Sequence, residues 1–375
     1  MRLRRLAVRR PSSSPLTVPA CVILFALSFA LPAAAQTGVI AFRDHCRGFL
    51  HVMRGDGSGS TALQFPPLPG PADQYAYRDP WVLDVTTSGP LRPLTVVYYV
   101  GIVRQGSSTL DDSSGLFAVE VTEGGGSLVS GSPRRLVLPP AVSFANVSRW
   151  GAFSSNPERL ALVAPTGGTR HVFLTAAVDR DFKGSITGLS NFVVLGDLSS
   201  LGQASPFMDY SSDGRSIVLG ISSDLYRLHL SADYTMSGAA EPLTPNTGGF
   251  AEWNPSYSPD GSRVAYTAGP IGRTGGVSGQ AMEISLLSLN TRASTPLTTK
   301  QNKGQAASGL DHAMWSATGT AIGFSAYTGN APRNSFCSAL VNSEIFVIKA
   351  DGTGVASALT TTNGTRVEGS PQWGW

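Results

Sequence analysis

A six-bladed, all-β propeller of four-stranded blades is the fold class this sequence predicts, and three observations predict it. Long amphipathic helices are absent: beyond the first 35 residues, no stretch keeps apolar residues at i, i+3, i+4 and i+7 for three turns without a Gly, Pro or Ser-rich break. Charged residues make up only 14% and the chain holds 42 Gly and 25 Pro, the supply that many short strands and tight turns require. One four-strand unit, finally, recurs along the chain.

The clearest copy runs from Tyr257 to Thr298. It reads as an aromatic strand, a turn at Pro259-Asp260-Gly261, a β-branched strand from Val264 to Thr267, a loop, an alternating strand from Ile284 to Leu289, and a last strand near Pro296 to Thr298. The same order returns upstream with Tyr210, Asp213-Gly214, Ile217, Leu225 and Leu243-Thr244, and downstream with Trp315, Thr318-Gly319, Ile322, Ile345 and Leu359-Thr360. Weaker copies carry Phe153, Asn156 and Leu160, then Val96 to Val100 and Leu116 to Val121. With the second strand of each unit as marker, positions 40, 96, 160, 217, 264 and 322 are spaced by 56, 64, 57, 47 and 58 residues, which fits six units.

The ends predict how the ring closes. The first copy enters directly at a second strand, Gly38-Val-Ile40-Ala-Phe42, whereas Glu368-Gly-Ser-Pro371-Gln-Trp373-Gly-Trp375 matches the first-strand segment Glu252-Trp-Asn-Pro255-Ser-Tyr257 and then stops. The last strand is therefore expected to complete the first blade and leave only short protected edges. The expected blades are 364–375 plus 36–70, then 71–141, 142–199, 200–247, 248–304 and 305–363, forming a single propeller domain over 36–375.

Residues 1–35 read as a secretory signal peptide. Arg2, Arg4, Arg5, Arg9 and Arg10 precede an apolar run from Ala20 to Leu31 that ends in Pro32-Ala-Ala-Ala35. That run is shorter than a spanning helix needs, so the expectation is a periplasmic or extracellular monomer with no membrane span after cleavage. The leader holds five of the 28 Lys+Arg and none of the 25 Asp+Glu, which leaves 23 against 25 and a net charge near −2. No basic footprint for nucleic acid remains.

The motif of an aromatic residue, Ser-Pro-Asp-Gly, a basic residue and a β-branched pair, with Asp351-Gly352 and Leu-Thr later in the unit, resembles the TolB-like (WD40-like) propeller repeat. The match is closest at Tyr257 to Thr267 and poorest in 71–141. The 340 residues expected after cleavage leave no room for the extra α/β domain of TolB itself or the hydrolase domain of prolyl oligopeptidases. What the resemblance implies is an exported, non-enzymatic binding scaffold that contacts a protein or envelope component through one face. Two alternatives stand beside it: a propeller enzyme similar to the oligogalacturonate lyases, and a purely structural repeat domain.

Candidate site residues follow from this frame. Glu252, Asp311 and Glu368, with Asp79 less clearly, precede the innermost strands, where carboxylates can ring the channel mouth and hold a cation or a basic segment; the plainer reading has them capping turns or pairing with Arg273, Arg333 or Arg366. His312, beside Asp311, is a candidate base or partner contact at the same mouth. His51, His171 and His229 fall inside third strands, where packing accounts for them.

Cys46 and Cys337 lie in second-to-third strand loops of the first and sixth blades, neighbours across the closure. Either they form a disulfide in an oxidising compartment or they remain separate thiols, with a metal site including His45 a distant third reading. Phe336 and Tyr327 are placed in the long loop of the sixth blade, and Trp150 and Trp253 near innermost strands. No catalytic, metal or cofactor motif appears: HExxH, GxSxG, P-loop and GxGxxG are all missing.

Overall fold

In the computed structural model the described residues are 38–44, 49–67, 74–83, 94–103, 115–137, 153–156, 159–165, 171–198, 204–244, 250–270, 282–306, 308–328, 343–360 and 368–373. The expected signal peptide lies outside them, as do Cys46, Cys337, His45, Trp150 and Phe336.

Strands β1 (Val39–Asp44), β2 (Leu50–Arg54) and β3 (Thr61–Ala62) begin blade 1. Blade 2 holds β4 (Gln74–Leu83), β5 (Leu94–Val103), β6 (Gly115–Gly124), β7 (Ser127–Ser130) and β8 (Arg134–Arg135). Blade 3 holds β9 (Phe153–Asn156), β10 (Arg159–Pro165), β11 (His171–Arg180) and β12 (Ile186–Asp197). Blade 4 is β13 (Ala204–Tyr210), β14 (Ser216–Ile221), β15 (Asp224–His229) and β16 (Glu241–Pro242); blade 5 is β17 (Phe250–Tyr257), β18 (Arg263–Pro270), β19 (Glu283–Ser288) and β20 (Ser294–Pro296). Blade 6 is β21 (Ser308–Trp315), β22 (Ala321–Tyr327), β23 (Ser343–Lys349) and β24 (Ser357–Ala358), and the chain ends with β25 (Glu368–Trp373).

Every blade is an antiparallel sheet paired in sequence order with two exceptions: β8 pairs β6 in blade 2, and β25 pairs β1 and supplies the innermost strand of blade 1, giving the order β25-β1-β2-β3. All six marker positions fall in second strands. Tyr327, expected in a loop, instead ends β22, because pairing with Ser343 extends that strand and its ring lies over Gly309. A Cβ at Gly309, whose φ is +63°, would come within 2.3 Å of that ring.

The core sits between blades. Ala41 and Val96 belong to one buried cluster across blades 1 and 2, Leu116 and Leu160 to another across blades 2 and 3, and Phe173 and Ile217 to a third across blades 3 and 4. Val218 with Val264, Ala265 with Phe324, and Ile345 with Ile40 continue the series through blades 4, 5 and 6 and back to blade 1. No sheet can bury its own faces, so the ring becomes stable by stacking neighbours.

Two repeated side-chain devices explain motifs already visible in the sequence. In the turn after β17, the Ser258 hydroxyl donates to Asp260 Oδ1 at 2.5 Å and accepts from the Arg263 amide at 2.9 Å, with Gly261 at φ +68°. Ser211 closes the corresponding blade 4 turn, donating to Asp213 at 2.6 Å and accepting from the Ser216 amide at 2.9 Å. At the outer edge, the Leu-Thr pair takes over where the fourth strand stops. The Leu297 amide donates to the Ile284 carbonyl at 2.8 Å while Thr298 Oγ1 accepts from the Ile284 amide at 2.8 Å. Leu243-Thr244 and Leu359-Thr360 repeat this on Leu225 and Ile345.

Ser258→Ala is expected to cost about 1–2 kcal/mol, since it strands the Arg263 amide in a turn where position 258 is only 1% exposed. The hydrogen bond from Ser258 is also the main reason the Asp260 carboxyl sits below the usual carboxylate range. Carboxyl titration by NMR in the variant should therefore show Asp260 rising, alongside the lower melting temperature. An unmoved Asp260 would contradict this role.

Candidate functional site

Five of the six innermost strands share an irregularity that sets the geometry of the axis; β9 pairs β10 without a skip over its described residues. Strand pairing skips at 370–371 in β25, 78–79 in β4, 205–207 in β13, 254–255 in β17 and 312–313 in β21. Each skip lies two to three residues before the strand's recurring aromatic position, except in β13, where it lies three to five before Tyr210, and such bulges turn a side chain away from the regular alternation. Pro255 and Pro371 fit there because the bulge frees their positions from a ladder donor.

Three residues before Tyr210, Tyr257 and Trp315 stand Phe207, Asn254 and His312. Asn254 and His312 adopt left-handed backbone, at φ +51° and +55°. Phe207 and His312 meet edge to face, with ring centroids 4.8 Å apart at 87°. Blades 4 and 6 do not adjoin, so these rings meet by both projecting toward the axis past blade 5.

Asp311 stands behind this group. Its Oδ1 accepts from Trp253 Nε1 at 3.1 Å, Asn254 Nδ2 at 2.6 Å, Thr267 Oγ1 at 3.1 Å and the His312 amide at 2.8 Å. Its Oδ2 lies 3.4 Å from His312 Nδ1. The first three donors come from blade 5, so the carboxylate joins blades 5 and 6. Asn254 is buried, and its Oδ1 has no hydrogen-bond partner among the described residues.

The other sequence candidates take different places. Glu252 lies within β17 and is 4% exposed; its amide donates to the Ser223 carbonyl of blade 4 at 2.9 Å, and its charge helps raise the Tyr266 phenol, behind burial as the larger cause. Glu368 and Asp79 lie within β25 and β4, and their side chains are outside the described residues, as are Arg273, Arg333 and Arg366. The inner strands thus begin earlier than expected and include these carboxylates. Counted back from the recurring aromatic, Glu252 and Glu368 are at five, Asp311 at four and Asp79 at two. They do not share one register position. Phe207 and Asn254 were missed from sequence, although Pro255 and Pro371 inside strands were the available bulge signal.

A second contact repeats outward from the axis. Arg159 lies beside the Tyr210 hydroxyl and donates to Thr175 Oγ1 at 2.9 Å; Ser216 Oγ is 3.0 Å from Tyr257 Oη; and the Arg263 guanidinium sits 4.7 Å from the centre of the Trp315 ring. In blades 3, 4 and 5 the residue opening the second strand therefore grips the aromatic of the next blade. Inner-strand backbones are tied as well, the Tyr257 amide donating to Asp209 Oδ2 at 2.7 Å and the Trp315 amide to Ser256 Oγ at 3.4 Å.

Burial pushes the Tyr257 phenol up to about 12, against the opposing hydrogen bond from Ser216, and pushes Tyr210 and Tyr266 up too. A raised folded value means the folded state keeps the proton longer. This contribution is whole below the unfolded value of about 10 and is lost as pH climbs through 12. Near-ultraviolet absorbance should show these three of the ten tyrosines ionising only with alkaline unfolding. Ten tyrosines titrating together near pH 10 in a folded protein would contradict it.

Among the described residues, no three His, Cys, Asp or Glu side chains gather where they could hold a metal ion, and no helix is long and apolar enough to cross a membrane.

No protein-family model matches the chain, and no curated protein matches it by sequence. Among solved structures, a protein assigned as TolB from Agrobacterium tumefaciens is similar at 14% identity and TM-score 0.48, over 90% of this chain and 98% of that one. A GH74 enzyme from Niastella koreensis is similar at 13% and 0.46, over 86% and 45%. An oligogalacturonate lyase from Vibrio parahaemolyticus is similar at 12% and 0.42, over 86% of each. Likenesses this distant transfer no activity, and the six-bladed β-propeller stands on the strand pairing of the chain itself.

Proposed function

We propose that this chain is an exported, TolB-like binding scaffold that holds a segment of a protein or envelope component at the axial mouth formed by blades 4 to 6. One observation carries the reading: equivalent positions in three successive blades, Phe207, Asn254 and His312, each lie at a bulge, and two of them bring an aromatic ring and an imidazole together edge to face. Left-handed backbone at a non-glycine residue is costly and persists where the surroundings over-determine it, which supports a role for the side chains it aims. The basic, then apolar, leader at 1–35 supports export to the periplasm or beyond.

The test is affinity capture from the protein's own envelope fraction with wild type and a Phe207→Ala/His312→Asn variant. Asn tolerates the backbone of position 312, so the propeller should stay folded. Loss of the captured partner with an unchanged melting temperature is expected; equal capture would overturn the reading.

A second reading is favoured by the 3.4 Å approach of Asp311 Oδ2 to His312 Nδ1, since an imidazole beside a carboxylate is a candidate general base. It makes the chain a propeller enzyme of the polysaccharide-lyase kind. Turnover of acidic oligosaccharides that disappears in His312→Asn would favour this second reading.

A further inference from the structure

Blade 2 departs from the others at its outer edge. The fourth strands of blades 1, 4, 5 and 6 are single segments of two or three residues, but here the edge is split: β7 pairs β6 from Val121 to Gly124, and β8 pairs it at Phe117 and Ala118. Between them the chain steps aside opposite Val119 and Glu120. The Gly131 amide still reaches the Glu120 carbonyl at 2.8 Å, and a Cβ there would approach that oxygen to 3.1 Å, so glycine permits the step.

The step opens a cleft of about 220 Å³ toward blade 3, lined by Thr95, Ala118, Glu120, Ser132, Arg134 and Ile186. Its charges are arranged separately. Arg134 Nη1 donates across the blade boundary to the Ile186 carbonyl at 2.7 Å, which fixes the guanidinium at one wall. The half-buried Glu120 carboxylate has no hydrogen bond or ion pair with any described residue. Ala118 and Ile186 are buried and apolar.

We propose that this cleft binds a small zwitterion, an α-amino acid with a short apolar side chain. Glu120 takes the ammonium, Arg134 and Ser132 take the carboxylate, and the side chain lies against Ala118 and Ile186. An anion and a cation held on one small cleft without pairing to each other match a ligand carrying both charges, and charge-assisted contacts are the strong ones. The volume is below the roughly 300 Å³ at which drug-sized pockets begin, which suits a ligand of this size.

Calorimetric titration of the whole folded protein with L-alanine and L-valine, beside acetate and ethylamine as half-ligands, tests this. Weak one-to-one binding of the amino acids is expected, with each half-ligand at least about tenfold weaker. Glu120→Gln and Arg134→Gln should each weaken alanine binding by about tenfold or more. If either variant fails to fold, the half-ligand comparison and the methyl NMR shifts of Ala118 and Ile186 in the wild type still decide. Acetate binding as tightly as alanine, or no methyl shift at saturating alanine, would overturn the proposal.

Discussion

A chain ended at residue 367 is expected to lose cooperative folding altogether. The deletion removes β25, the partner of β1 at Ile40, Ala41, Arg43 and Asp44, and leaves blade 1 without an innermost strand. It also opens the seam between blades 6 and 1, where Ile40 and Phe42 pack with Met314 and Ile345. A propeller tolerates short outer edges, but an unpaired inner strand exposes ladder groups beside a core. The total stability of a domain is only about 5–15 kcal/mol, so losing one strand and the closure together is expected to consume most of it.

The control follows from the register. Ile40 pairs with Trp373, so the end of β25 lies beside the start of β1, and residues 364–373 placed ahead of Gly38 through a short turn would pair in place. That rearranged chain should recover a sharp melting transition, whereas the truncated one shows a broad transition and ready proteolysis. Native-like melting of the truncated chain would show that closure contributes little.

What was legible in the sequence was local. The second strands announced themselves as β-branched runs, and the turns did so through Gly214, Gly261 and Gly319, all at φ between +66° and +68°. The closure was legible because Glu368 to Trp373 repeats the spacing of Glu252 to Tyr257. The site was far less so. A bulge breaks the alternation from which a residue's face is counted, so Glu252 and Asp311, one register step apart, looked equivalent. Asp311 takes donors 58, 57 and 44 positions away, and no local pattern encodes such partners. Blade 2, the weakest copy, hid its split edge for the same reason: Arg134 and Arg135 pair with β6 without any repeat signature.

Asp311→Ala is expected to destabilise the fold by about 3–5 kcal/mol, the largest effect of any single substitution considered. Its Oδ1 is the common acceptor for Trp253, Asn254, Thr267 and the His312 amide. Thr267 is fully buried and Asn254 nearly so, and a buried donor left without an acceptor costs about 1–3 kcal/mol. Asp311→Asn keeps an oxygen for these donors and should lose only about 1–2 kcal/mol. Denaturant unfolding of the two variants, with a double-mutant cycle to Thr267→Val, measures the joint directly. Full additivity would mean that the Thr267 bond carries no energy. A wild-type midpoint in Asp311→Ala would mean that the carboxylate does not join blades 5 and 6. The axial group depends on the outcome, because the same carboxylate that ties blade 5 to blade 6 also accepts from the His312 amide and lies 3.4 Å from the ring that meets Phe207. Asp311→Asn should therefore move the imidazole resonances of His312 while the propeller stays closed, separating support of the site from contact with a partner.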